Sequence, residues 1–325
     1  MKWIVIIFLV VMAGCAKSST VDTQTITTKD IYTGSDGLLI SFLPNAPPDE
    51  VFEDSYAPLG LRIENKGAYN IQQGNIVIAL ENDYMDLIQG SLQTSSNDAG
   101  FIDDRHLEFD LAGKGLSRSI GDQDILTVNM KIHELETLSQ THDSNVAVTA
   151  CYEYLTFATE TVCLDTDVYN VKNRAKGCTV ADVSLTDQGA PIAVTKIQTK
   201  MLPQDFGVVP QFIISIENKG SGLVFQPGKA EDACSSEKLD YTSLNKVNVQ
   251  AYLQRGGDTQ LLQCSPSEGS EAAIATLKDG SATVRCVLEE GISEQEGTFS
   301  TPLSIEIQYG YTTTISKRVT IKATV

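Results

Sequence analysis

Tryptophan is almost missing from this chain: one residue in 325, and that one is Trp3. Histidine is scarce too, at His106, His133 and His142. None of these stands in HxH or HxxxH spacing and no HExxH occurs, so zinc hydrolysis has no ligand set. Basic residues are outnumbered, 24 Lys plus Arg against 42 Asp plus Glu, for a net charge of -18. With no Lys/Arg run either, general nucleic-acid binding and a polybasic anchor on anionic lipid are excluded. There is no GxSxG elbow for a serine nucleophile. Ser117, in Gly113-Lys114-Gly115-Leu116-Ser117, sits in a glycine-rich turn without phosphate-loop spacing. Gly222 to Gly228-Lys229 has one residue too many for such a loop, and Ala230 stands where Ser or Thr would hold magnesium. Long amphipathic helices are absent, and beyond the N-terminus no apolar run is long enough to span a bilayer.

What is present begins with an address. Lys2 precedes an uninterrupted apolar run, Trp3 to Ala13. Eleven residues at about 1.5 Å each cover roughly half of a bilayer core, the length of a signal-peptide core. The run ends in Met12-Ala13-Gly14-Cys15. Small residues before a cysteine resemble a lipobox, which makes Cys15 the expected lipidated N-terminus, with Met12 in place of the commoner Leu. Residues 1–14 are then the signal and 15–33 a Ser/Thr-rich tether. The expected location is the extracytoplasmic face of the cell membrane, with the membrane as partner through the lipid.

Six further cysteines follow: Cys151, Cys163, Cys178, Cys234, Cys264 and Cys286. An even number in an exported chain reads as disulfides. Six allow fifteen connectivities. Cys151 and Cys163 are expected to pair across a hairpin of Asn145–Leu155 and Thr161–Asp167. Cys264 and Cys286 flank a second hairpin-like segment, Ala272–Arg285, turning at Asp279-Gly280, which leaves Cys178 with Cys234. No CxxC pair or adjacent histidine favours a metal thiolate. Asp103-Asp104 and Asp165-Thr166-Asp167 are the acidic groups closest to a calcium ligand set, but the helix–loop pattern is missing. No metal, cofactor or catalytic residue is expected, and no Asn-x-Ser/Thr sequon occurs.

One pattern occurs twice. Leu61-Arg62-Ile63-Glu64-Asn65-Lys66-Gly67 is echoed by Ile214-Ser215-Ile216-Glu217-Asn218-Lys219-Gly220. Alternation at period two places apolar side chains on one strand face, and Asn with Gly ends the strand in a turn. The repeat predicts a duplicated domain: 34–170, a polar linker at 171–177, and 178–325. Further Val-, Ile-, Thr- and Tyr-rich runs, including Leu38–Leu43, His106–Leu111, Ile125–Ile132, Lys246–Leu253, Leu303–Tyr309 and Thr312–Thr324, predict β-structure throughout. The fold class is all-β, two tandem antiparallel sandwiches.

The strands ending in Asn-x-Gly resemble those of Ig-like domains related to cell adhesion in archaeal and bacterial surface proteins. The cysteine-bearing hairpin and the closing Ile305-Glu306-Ile307-Gln308-Tyr309-Gly310-Tyr311 are similar to stretches of archaeal cell-surface lipoproteins. That resemblance implies a non-enzymatic protein with an adhesion, protein-interaction or scaffolding role and a protein or cell-envelope partner. The alternatives are a subunit of an extracellular appendage or secretion assembly, its C-terminal strand pairing with another chain, and an exported hydrolase or solute binder. The lack of tryptophan after the signal weighs against carbohydrate binding.

Overall fold

The computed structural model describes residues 31–324 apart from 97–98, 137, 173, 236–238 and 268–271. Cys15, the leader and most of the tether lie outside the described residues. The first half contributes β1 (Leu38–Phe42), β2 (Glu50–Phe52), β3 (Tyr56–Asn65), β4 (Ile71–Ala79), β5 (Met85–Thr94), β6 (Ala99–Phe101), β7 (His106–Leu111), β8 (Gln123–Ile132) and β9 (Thr141–Asp165). The second half contributes β10 (Val183–Ser184), β11 (Ile192–Gln204), β12 (Gly207–Asn218), β13 (Val224–Phe225), the helix α1 (Ala230–Cys234), β14 (Lys246–Arg255), β15 (Asp258–Leu261), β16 (Gln263–Ser265), β17 (Ala273–Thr276), β18 (Ser281–Val287) and β19 (Thr298–Lys322).

Side-chain alternation explains the strands. β8 buries Asp124, Leu126, Val128, Met130 and Ile132, every second residue, which is what a pleated strand with one covered face requires. β3 does the same with Ala57, Leu59, Leu61, Ile63 and Asn65. The fold is an antiparallel β-sandwich. Two small sheets, β1-β3-β8-β5 and β10-β11-β12-β18-β16, face a ten-stranded sheet whose main path is β15-β14-β19-β9-β4-β7-β6. In both small sheets the strand carrying the repeat lies inside the sheet, β3 between β1 and β8, β12 between β11 and β18.

Two strands tie the halves together. β9 and β19 are 25 residues each and pair without a break, from Thr298↔Asp165 to Lys322↔Thr141. Even-numbered residues of β9 from Val146 to Leu164, Glu160 excepted, are buried in the sandwich core, among them Tyr152, Tyr154, Thr156 and Val162. The expected hairpin of Asn145–Leu155 and Thr161–Asp167 is therefore one strand. Cys151 and Cys163 lie twelve residues apart along it, about 40 Å at strand rise, and cannot bond. Likewise Leu303–Tyr309 and Thr312–Thr324 are one strand, and that strand completes the chain's own sheet.

The disulfides correct two expected pairs. Cys151 bonds Cys234 (Cα–Cα 5.7 Å) and Cys163 bonds Cys178 (5.8 Å). The third expected pair holds: Cys264 and Cys286 are register partners on β16 and β18, with Cα atoms 4.0 Å apart. The segment Ala272–Arg285 is not a hairpin. β17 pairs with β14, whereas β18 pairs with β12 and β16, so the turn at Asp279 (φ 51) and Gly280 (φ 75) is an arch between sheets. Among the described residues no helix is long and apolar enough to cross a membrane.

Candidate functional site

The two copies of the repeat form the same turn. In the first, the Asn65 carboxamide oxygen accepts from the Gly67 N–H (3.1 Å) and the Tyr154 hydroxyl (3.2 Å), while its Nδ2 donates to the Tyr69 and Leu111 carbonyls (2.7 and 3.1 Å). In the second, the Asn218 oxygen accepts from the Gly220 N–H and the Tyr311 hydroxyl, both at 3.1 Å, and its Nδ2 donates to Gly222 (3.1 Å). Lys66 and Lys219 each pair with the glutamate two residues back. The repeated string thus specifies a side-chain-closed turn resting on a tyrosine.

Those tyrosines meet at the centre of the β9–β19 ladder, where Tyr152 faces Tyr311 and Tyr154 faces Tyr309. Neighbouring ring centroids are 5.7–6.2 Å apart. The Tyr152 hydroxyl accepts from the Leu38 N–H at the start of β1 (3.2 Å), and the Tyr309 hydroxyl from the Ile192 N–H at the start of β11 (3.4 Å). Burial pushes all four phenols above their ordinary pKa, so they act as neutral hydrogen-bonding struts. The duplicated Tyr-x-Tyr at 152–154 and 309–311 is the sequence signal for this cluster.

Behind the central sheet, an excursion of the second half crosses onto the first. The Phe225 ring fills the space where any Cβ at Gly310 would stand. The N–H groups of Gly228, Lys229 and Ala230 converge on one Glu153 oxygen at 2.9, 3.1 and 3.2 Å. The segment with the look of a phosphate loop therefore holds an internal carboxylate. Burial raises the Glu153 pKa in spite of these donors. The Cys151–Cys234 bond then fixes the end of α1 to the sheet.

Each histidine faces a carboxylate in the first half. His106 Nδ1 lies 2.6 Å from Asp103 and its Nε2 lies 2.8 Å from the Cys234 carbonyl; His133 meets Asp86 (2.9 Å) and His142 meets Glu81 (2.8 Å). The Arg105 N–H, and then the His106 ring and N–H, hold the Asp103 pKa down at about 2. Asp165 is buried, which works against its charge, but Lys176, Thr298 and Asp167 donate to it and keep its pKa below the ordinary value. Both acidic groups singled out in the sequence thus serve the chain's own cations and N–H donors. Among the described residues no three His, Cys, Asp or Glu side chains are grouped to hold a metal ion. Ser117 lies at a loop tip between Gly115 and Arg118, which pair with each other. Among the described residues, open grooves lie beside Asp86 and Asp104 (about 520 Å³), beside Asp110 and Asp122 (about 630 Å³) and beside Glu108 and Glu153 (about 440 Å³).

No protein-family model matches the sequence, and no curated protein matches it. Among solved structures, the C-terminal domain of the Streptococcus pyogenes antigen I/II-family protein AspA is 8% identical, over 89% of this chain and 100% of that one, at a TM-score of 0.20. The CupB6 tip adhesin from Pseudomonas aeruginosa is 11% identical, over 90% and 96%, at 0.13. AvmM, which catalyses macrocyclization in alchivemycin A biosynthesis, is 12% identical, over 36% and 74%, at 0.23. At these scores none of the likenesses bears on function.

Proposed function

We propose that this chain is a non-enzymatic, lipid-anchored protein of the extracytoplasmic membrane face, with an adhesion, protein-interaction or scaffolding role. The observation that supports it is the set of three disulfides, at 151–234, 163–178 and 264–286. Such bonds persist in oxidising compartments, in agreement with the leader and the lipobox-like Met12-Ala13-Gly14-Cys15. The sandwich serves as a rigid body, and the tether sets its distance from the bilayer. Its partner is a protein or an envelope polymer.

The anchor is tested by Cys15→Ser. The substituted protein is expected in the soluble fraction after cell disruption, while the unsubstituted chain sediments with membranes and takes up a labelled acyl chain. A Cys15→Ser protein that stays wholly in the membrane fraction defeats the lipid-anchor reading.

A further inference from the structure

The two halves differ at one equivalent place, next to where the tether joins the fold. In the second half, β17 and β18 are joined by four residues, 277–280, and the Gly280 carbonyl accepts from the Asn218 N–H at 2.7 Å. In the first half, β7 and β8 are joined by eleven residues, 112–122, and the Asp122 carbonyl accepts from the Asn65 N–H at 2.9 Å. The same contact to the repeated asparagine is reached in the second half with far fewer residues. The longer connection is therefore not needed to close the sandwich.

What it builds is a pinned projection. Gly115 and Arg118 exchange backbone hydrogen bonds of 2.8 and 2.9 Å, which puts Leu116 and Ser117 at the tip. Below them the Lys114 N–H donates to the Gly67 carbonyl and the Gly113 N–H to the Asn70 side chain, both at 2.8 Å. A Cβ at Gly113 would stand 2.6 Å from the Tyr69 carbonyl, and one at Gly121 would collide with the Asn65 carbonyl, so glycine at both feet lets the loop seat on the repeat turn. Leu116 and Ile120 are 66% and 68% exposed. The connection 112–122 holds Lys114, Arg118 and one acidic residue, Asp122, which lies at its foot and pairs with Arg118, in a chain of net charge -18. The Lys114 ammonium donates to the Thr33 carbonyl at 3.1 Å, so the projection touches the chain eighteen positions after Cys15.

We infer that this loop inserts Leu116 and Ile120 into the headgroup–acyl boundary of the bilayer that carries the Cys15 lipid, and so orients the sandwich on the membrane. The inference rests on the lipid-anchor reading. Burying the exposed two-thirds of two aliphatic side chains favours the inserted state by roughly 30- to 700-fold, too little to recruit the protein from solution. On the lipid-anchor reading, the eighteen positions between Cys15 and Thr33 keep the loop within reach of the surface, at an effective concentration in the millimolar range. Under those conditions a weak insertion is enough. Arg118 is paired with Asp122, so the attraction is chiefly apolar.

A single tryptophan reads this directly, because the expected mature chain has none. The lipidated chain is purified as Leu116→Trp, as Leu138→Trp and unsubstituted, and reconstituted into phosphatidylcholine–phosphatidylglycerol vesicles with and without dibrominated chains. Leu138 is 98% exposed and lies past the far end of β8, about 33 Å from the loop at strand rise. The expected result is blue-shifted emission from Leu116→Trp, quenched several-fold more by bromine than that of Leu138→Trp, with the shift reduced by adding Ile120→Ser. If the Leu116→Trp protein floats with vesicles while its emission stays that of a solvated indole, the insertion is overturned and the anchor stands. Equal quenching of the Leu116→Trp and Leu138→Trp proteins overturns it as well. Protein that does not float defeats the anchor reading and the insertion with it.

Discussion

Replacing Cys151 and Cys234 together by alanine is expected to cost about 4.5 kcal/mol, the chain-entropy value for a loop of 83 residues. No other disulfide among the described residues closes so long a loop; separations of 15 and 22 give about 3 and 3.4 kcal/mol. The bond also has a local task, because it pins the 226–244 excursion to the back of the sheet. Without it, that excursion keeps Phe225 over Gly310, the Glu153 cap and the His106 contact to the residue 234 carbonyl. The double variant should therefore fold, melt roughly 10 °C lower, and become sensitive to limited proteolysis in that segment first. Non-reducing peptide mapping of the unsubstituted protein should join the Cys151 and Cys234 peptides, and the Cys163 and Cys178 peptides. A loss below about 1 kcal/mol, or a Cys151–Cys163 peptide in the map, contradicts the connectivity.

How far the sequence carries the fold is clearest in β9 and β19. Their outer portions alternate plainly, and the expected strands Asn145–Leu155 and Leu303–Tyr309 lie within them. Two residues hide their continuity. Thr156 occupies a core position where alternation calls for an apolar side chain, and it is fully buried because its hydroxyl donates to the Ile192 carbonyl (2.6 Å) and meets the Tyr309 hydroxyl (3.0 Å). Gly310 reads as a break inside Tyr309-Gly310-Tyr311, yet it is extended backbone beneath the Phe225 ring. Strands of ordinary length run about 5–6 residues, so a 25-residue strand divides naturally into two on inspection, and the expected Cys151–Cys163 pair follows from that division. The repeat, by contrast, is legible because its work is local: Asn and Gly within three positions close the turn. The tyrosines that buttress it are about 90 residues away in sequence, and only the tertiary fold brings them in. The projection at 113–121 is visible as a glycine-rich turn, but its meaning depends on Thr33 and Asn65 lying beside it.

The duplicated turn makes the second large prediction, because its two copies are not equally buried. Asn65 is fully buried and satisfies four partners: the Gly67 N–H, the Tyr154 hydroxyl and the Tyr69 and Leu111 carbonyls. Asn218 is half-buried and makes three of the equivalent contacts, with no counterpart to Leu111 among the described residues. A buried polar group left without a partner costs about 1–3 kcal/mol, whereas one that water can reach costs much less. Asn65→Ala is therefore expected to lose about 4 kcal/mol and Asn218→Ala about 2 kcal/mol, read from urea denaturation. Equal losses would show that burial does not decide the cost of the turn. The first copy also carries the projection, since Gly121 lies against the Asn65 carbonyl and Asp122 bonds the Asn65 N–H. Asn65→Ala placed in the Leu116→Trp chain should weaken the vesicle-dependent blue shift, whereas Asn218→Ala should leave it unchanged. A turn that only terminates a strand predicts no such difference; a turn that also seats the loop beside the tether requires it.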